Sequence, residues 1–145
     1  MGCADNKIHQ SKDFIFGTLI DIKIHGESKI DAEKVANEIF FEFHRLHKLL
    51  HPWEKSFITD INIAISQNKS IPINNDEIIT ILSNAQRLET QTQNLFNPSI
   101  GRLIKLWGFH SNDYNQETIP NKETIQKLVS SNPLMQSIKI KDGIL

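Results

Sequence analysis

A chain of 145 residues is long enough for one domain, and at that size folding hides roughly 68–70% of the surface the extended chain exposes. Hydrophobic residues make up 39% and charged residues 23%, with eight Phe and two Trp, a balance that excludes a disordered polymer. Sixteen basic against seventeen acidic side chains leave a net charge of -1 without the basic block of a nucleic-acid binder. The longest apolar runs are about half the ~20 residues a membrane-spanning helix needs.

The single cysteine, Cys3, has no internal disulfide partner. N-myristoylation asks for Ser or Thr at position 6, where Asn6 stands, whereas Gly2-Cys3 fits the tail of a bacterial lipoprotein signal whose apolar region is absent. The alternative is a plain exposed thiol near a frayed terminus. The polar run from Ala4 to Lys12 suits a tether, so residues 1–13 are expected to be flexible.

From Phe14 to His25, residues Phe14, Phe16, Thr18, Ile20, Ile22 and Ile24 alternate with Asp21, Lys23 and His25, which predicts one half-buried strand. Gly17 interrupts it, marking a bulge or a close approach of backbone or ligand. Ser28 and Asp31 are alternative caps for a long amphipathic helix whose inward residues include Ala32, Val35, Ala36, Ile39, Phe40, Phe43, Leu46 and Leu50. His51-Pro52 ends it, because the residue before proline is pushed out of the helical region. Ser56 to Ile65 is ambiguous between a short helix and irregular structure, and Ser70 to Ile73 reads as a brief extended piece.

Asn75 caps a second helix that runs to about Thr92 with Ile78, Ile81, Leu82, Ala85 and Leu88 inward. Asn97-Pro98 starts a short helix, proline taking its first position, and Gly108 stops it. A third capped helix is expected from Asn121 to about Ser130. Ser137 to Lys141 then alternates like a strand, and Asp142-Gly143 is a two-residue hairpin signal. Only Ile144 and Leu145 remain, leaving an open edge of a kind natural domains avoid, so the parent protein is expected to continue beyond Leu145.

His44, His47 and His51 stand at i, i+3 and i+7 and are candidate metal ligands, with solvated or core-edge histidines as the alternative. No phosphate loop of the G-x-x-x-x-G-K type and no G-x-G-x-x-G motif is present. Three junctions pair an aromatic residue with polar neighbours: Phe16-Gly17-Thr18, Pro52-Trp53-Glu54 and Leu95-Phe96-Asn97-Pro98-Ser99. Aromatics at loop positions stack on planar rings and helix N-termini favour anions; ordinary packing of Trp53 and Phe96 over core edges is the alternative.

The order of these pieces resembles the FAD:protein FMN transferases, the ApbE family. Phe16-Gly17-Thr18 is similar to the family's M-G-T, and Trp53 through Asn62 to its Y/W-x-x-x-S-x-L-S-R-x-N. Leu95 to Phe109 (LFNPSIGRLIKLWGF) is similar to its A-F-D-P-T-V-G-P-L-V-x-L-W-G-F, the most specific of the blocks, and Ile119-Pro120 with the helix behind it resembles the family's next segment. The resemblance implies an α+β fold, a mixed or antiparallel sheet with packed helices related to the T-fold, of which residues 14–145 are the amino-terminal part, incomplete at the C-terminus.

It also implies Mg²⁺-dependent cleavage of FAD, with FMN attached through a phosphoester to a Thr or Ser hydroxyl of a target flavoprotein. By position, Phe16 takes the family's methionine place beside FAD, Trp53 its aromatic place, and Leu95, Phe96 and Asn97 the segment that contacts the cofactor. None of these is a catalyst. The family's Mg²⁺ ligands belong to a later half that nothing in these residues matches, so the fragment alone is expected to be inactive, with a non-catalytic flavin-binding or protein-interaction fragment as the alternative. The family works on the extracytoplasmic side of the bacterial inner membrane, and Cys3 is the implied lipidation site. Several residues depart from the pattern: Phe57 and Asp60 replace Glu and Arg in a slightly shorter second block, Asn94 replaces Gly, Leu95 a small residue and Asn97 an Asp. Asparagine tolerates a left-handed backbone, so Asn94 is a mild change.

Overall fold

The computed structural model describes residues 7–110, 119–131, 133–141 and 144–145. The fold is α+β and divides into two compact units, Met1–Thr59 and Asp60–Leu145.

The first unit begins with an antiparallel hairpin, β1 (Ile8–Ile15) and β2 (Thr18–His25), in which Ile15 faces Thr18 and Ile8 faces His25. Phe16 and Gly17 form the connection at φ 57 and 74. Two successive left-handed residues give the primed two-residue turn whose twist matches that of its strands. The single strand expected over 14–25 is therefore two strands. Residues 8–13, expected within the tether, are in β1, while the remainder of that tether before residue 7 and Cys3 itself lie outside the described residues.

A two-residue turn also changes which parity faces inward, because Ile15 and Thr18 share one face. In β2 the even residues Ile20, Ile22 and Ile24 point to the core, as the alternation predicts. In β1 the odd residues do, so Ile15 is 2% exposed while Phe14 is 64% exposed. Helix α1 (Lys29–Leu50) covers that face, and Ile15, Ala36 and Phe40 form a core cluster flanked by the three isoleucines and Phe43. Alanine at 32 and 36 keeps the helix surface low where the sheet approaches. Of the two candidate caps Ser28 is the one used, its hydroxyl accepting from the Asp31 N–H at 3.2 Å. Val35, expected on the buried stripe of amphipathic spacing, is largely exposed.

Helix α2 (Phe57–Ser66) resolves the ambiguous stretch. Ser56 and Thr59 cap it reciprocally, the Thr59 N–H donating to Ser56 Oγ at 3.1 Å and the Ser56 N–H to Thr59 Oγ1 at 2.8 Å. This is the capping-box logic with threonine in place of the usual Glu or Gln.

The second unit holds α3 (Asp76–Gln91), capped by Asn75 Oδ1 from the Ile78 N–H. Ile78 and Leu82 of α3 are buried, as are Ile61 and Ala64 of α2 and Ile73. Helix α4 (Gly101–Leu106) starts later than expected: Pro98 lies in a turn before it instead of opening it. Gly108 ends it as expected, at φ 78, with the Gly108 N–H on the Lys105 carbonyl and the Phe109 N–H on the Ile104 carbonyl. That pair of bonds is the Schellman stop, which needs a left-handed residue at Gly108. Helix α5 (Lys122–Ser131) packs against α4 and is capped by Asn121, whose Oδ1 accepts from the Glu123 N–H at 2.7 Å.

The strand expected over 137–141 is not formed: Met135–Ser137 is a short 3-10 turn packed on α3, succeeded by extended chain. The expected hairpin turn at Asp142-Gly143 lies outside the described residues, but Lys141 and Ile144 on either side of it exchange both backbone hydrogen bonds at 2.9 Å. Ile144 and Leu145 also pair with the extended piece at 71–72, Ile71 and Leu145 exchanging N–H···O bonds of 3.0 Å, so this end of the chain is paired instead of presenting the expected open edge.

Candidate functional site

The first unit links two of the expected site positions, Phe16 and Trp53, through a column of rings and the hydrogen bonds of His51. Phe16 sits at the hairpin tip, its ring 6.0 Å from Phe43 and 5.5 Å from His47 between centroids, the latter edge-on at 72°. His47 meets His51 at 5.0 Å and 82°. These spacings and tilts are those favoured by ring quadrupoles. Phe43, His47 and His51 fall one turn apart along α1 and its C-cap, which is why a single helix face lines up with the turn of the hairpin.

His51 then shapes the loop that carries Trp53. Its Nδ1 accepts from the Trp53 N–H at 3.2 Å and from the Glu54 N–H at 2.8 Å, and its carbonyl accepts from Ser56 Oγ at 2.5 Å. Two N–H donors aimed at Nδ1 require its lone pair, which assigns the proton of the neutral ring to Nε2. The backbone of His51 is extended, φ -59 and ψ 122, as a residue before proline must be. Trp53 is half-buried and Pro52 exposed.

His44 does not join this column. Its Nε2 lies 2.7 Å from Asp13 Oδ2 and ties α1 to β1 beside the turn. The hydrogen bond from His44, with a second from the Phe14 N–H, holds the Asp13 carboxyl below the usual carboxylate range. Among the described residues no group of three or more His, Cys, Asp or Glu side chains is placed to hold a metal ion. The histidine trio read as candidate metal ligands is thus otherwise engaged: His44 with Asp13, His47 in ring stacking, His51 as the acceptor of its own loop. A shallow groove runs past them, lined by His44, His47, Lys48, His51, Glu54 and Lys55. A second groove runs along α1 past Ile30, Lys34 and Phe41 and includes none of the expected site residues.

The second unit carries Leu95, Phe96 and Asn97. Gln93 and Asn94 ahead of them are left-handed at φ 52 and 67, so the chain reverses sharply after α3, and asparagine at 94 occupies the conformation expected of it. Thr92 staples the turn, its hydroxyl donating to the Leu88 carbonyl and accepting from the Phe96 N–H at 3.0 Å. The reversal throws Leu95 out, 92% exposed, with Phe96 43% exposed beside it. Asn97 does not project a free amide: Oδ1 accepts from the Ser99 N–H at 2.8 Å and Nδ2 donates to the Pro133 carbonyl at 3.0 Å. A carboxylate there would lack the second of those bonds.

A group that sequence reading missed holds this loop from beneath. Glu89 is wholly buried, its two oxygens accepting from the Met135 and Gln136 N–H groups at 3.0 and 3.3 Å. Gln86 adds bonds from Nε2 to the carbonyls of Met135 and Ile138, and Gln136 reaches Thr90. The Glu89 carbonyl also receives the Asn94 N–H at 2.8 Å, so one residue binds both the α3 reversal and the 3-10 turn. Leu88, expected inward, is exposed, and Glu89 takes the buried place four residues after Ala85 and seven after Leu82, which was its only signal in the sequence.

The chain is thus an α+β domain with exposed aromatic residues at a hairpin tip and in the turn after α3. Residues 16–144 match the ApbE family, and the chain belongs to that family. It is 25% identical over 127 residues to the FAD:protein FMN transferase of Rhodobacter capsulatus, covering 88% of this chain and 24% of that protein. The crystal structure of the ApbE protein from Thermotoga maritima MSB8 has the same fold, with a TM-score of 0.78 at 23% identity over 94% of this chain and 42% of that one. The chain thus spans about a quarter of the length of the curated relative and less than half of the solved one.

Proposed function

We propose that this chain is the flavin-gripping part of an FAD:protein FMN transferase, which moves FMN from FAD to a Thr or Ser hydroxyl of a target flavoprotein through a phosphoester. The observation that carries the proposal is the family match over 16–144, and by resemblance Phe16, Trp53, Leu95, Phe96 and Asn97 are proposed as the residues that contact the flavin. The relative named for this activity supports it. Exposed Phe16 and Phe96 offer ring faces for stacking, and the half-buried Trp53 is presented by a loop held at both ends.

Phosphoryl transfer from FAD asks for a grip on the cofactor, neutralisation of charge at the phosphates and an aligned hydroxyl. The residues of this chain serve the first. Magnesium does not fit the described residues, which hold no suitable carboxylate cluster, and no step is assigned to this chain through it. The same reading makes Cys3 the lipidation site and puts the protein on the extracytoplasmic side of the membrane; membrane fractions of cells producing a Cys3→Ser variant would then lose the protein.

The test adds FAD to the 145-residue chain while monitoring flavin fluorescence, then adds Mg²⁺ and an acceptor flavoprotein and looks by mass spectrometry for FMN on its Thr or Ser. Quenching of the flavin without covalent transfer is the expected result. Absence of any FAD binding removes the flavin grip, and transfer by these residues alone overturns the division of labour.

A further inference from the structure

The geometry points to His51 as a positioning residue that holds the Trp53 loop in its flavin-binding shape only while its imidazole is neutral, making the grip on flavin pH-dependent. The inference rests on the flavin reading of Trp53 but not on any transfer chemistry.

Three observations carry it. Nδ1 of His51 is the common acceptor of the Trp53 and Glu54 N–H groups. A protonated ring carries N–H at both nitrogens, so protonation replaces the lone pair with a third donor facing two donors, and the loop must let go. The ring packs edge-on against His47 at 5.0 Å, and turning it about Cβ–Cγ would bring Cδ2 to the two N–H groups, so no rotation of a protonated ring restores an acceptor there.

The charged neighbours do not remove the effect. On α1, His44, His47 and Lys48 line the same groove, joined by Lys55 from the loop after the helix. Glu54 lies 3.9 Å from Nε2 with its side chain 80% exposed, and such solvent-screened pairs are weak. From the hairpin, the Phe16 ring meets those of Phe43 and His47, and Asp13 is engaged with His44. Imidazoles change charge between about pH 5 and 8, which sets the window.

The experiment uses the full chain with Trp107→Phe, so that Trp53 is the only tryptophan. Emission from Trp53 is recorded from pH 8 to pH 5, with far-UV circular dichroism to check that the helices persist, and FAD is titrated at both ends. Expected is a one-proton transition in Trp53 emission, with FAD affinity falling about tenfold or more on acidification. In His51→Asn, whose Oδ1 accepts from the same two N–H groups as an Asx turn without titrating, both changes should vanish while binding at pH 8 survives; His51→Ser is the second variant should Asn not fold. An unchanged titration in these variants, or a flat one in the parent, overturns the assignment. No FAD binding at either pH refutes the flavin reading alone, because Trp53 emission still reports on His51.

Discussion

Replacing Glu89 by Gln tests whether the buried carboxylate holds the Met135–Ser137 turn against α3. The change is isosteric, so it opens no cavity. One oxygen remains to accept from the Met135 N–H, but an amide NH₂ replaces the other and meets the Gln136 N–H donor to donor. Losing a hydrogen bond to a charged acceptor costs about 1.5–3 kcal/mol, offset in part because a charge no longer has to be kept out of water, which leaves about 1–2 kcal/mol net. With a urea slope of about 1–3 kcal/mol/M, the midpoint should fall by about 0.5–1 M. Glu89→Ala removes both acceptors and side-chain volume and should cost more, about 2–4 kcal/mol. Urea unfolding monitored by circular dichroism gives the totals, and amide exchange at Met135 and Gln136, faster by about tenfold for 1.4 kcal/mol, localises them. A Gln variant within ~0.3 kcal/mol of the parent, or an Ala variant no worse than Gln, would refute the reasoning.

The Asp13–His44 contact predicts an acid limb of stability. Because the folded state lowers the Asp13 pKa, its contribution is present above the ordinary carboxylate value near 4 and is lost as pH falls through the lowered one. Thermal melts of Asp13→Asn should therefore lose less between pH 7 and pH 3 than those of the parent; equal losses would remove the link. Ser56→Ala should destabilise α2 by about 1 kcal/mol and loosen the Trp53 loop, since Ser56 both caps the helix and bonds the His51 carbonyl; denaturant melts check the first and tryptophan emission the second. Trp53→Ala should weaken FAD binding by about 1–3 kcal/mol if the indole stacks on the flavin. An unchanged FAD titration would make Trp53 a packing residue.

The helices were readable because each carries its own caps and stripe: Ser28, Asn75, Asn121 and Gly108 all act at or beside the expected ends. The hairpin was not. Its inward residues in β1 besides Ile15 are His9, Ser11 and Asp13, so no apolar alternation marks the strand, and the two left-handed turn residues are Phe16 and Gly17 where an Asn-Gly or Asp-Gly pair would have announced a turn. The proposed flavin contacts at Phe16, Trp53 and Leu95 to Asn97 rest only on family resemblance, because exposure of an aromatic residue leaves no periodic signature. Roles such as those of His51 and Glu89 depend on which backbone N–H groups a side chain meets, and no spacing rule encodes that.

Phe16 sits in a left-handed conformation that costs a residue with a Cβ roughly 1–2 kcal/mol. Its ring contacts with Phe43 and His47 return a similar sum, about 0.5–1.5 kcal/mol each. The two nearly cancel, so Phe costs folding little more than Asn or Gly, which adopt that conformation readily. A library randomised there and scored for thermal stability should place Asn, Gly and Phe alongside one another, with β-branched residues and proline well below. On the proposed flavin reading, the same library scored for FAD capture should be steep. Position 16 would then be a place where ligand preference drifts among such residues without the fold resisting.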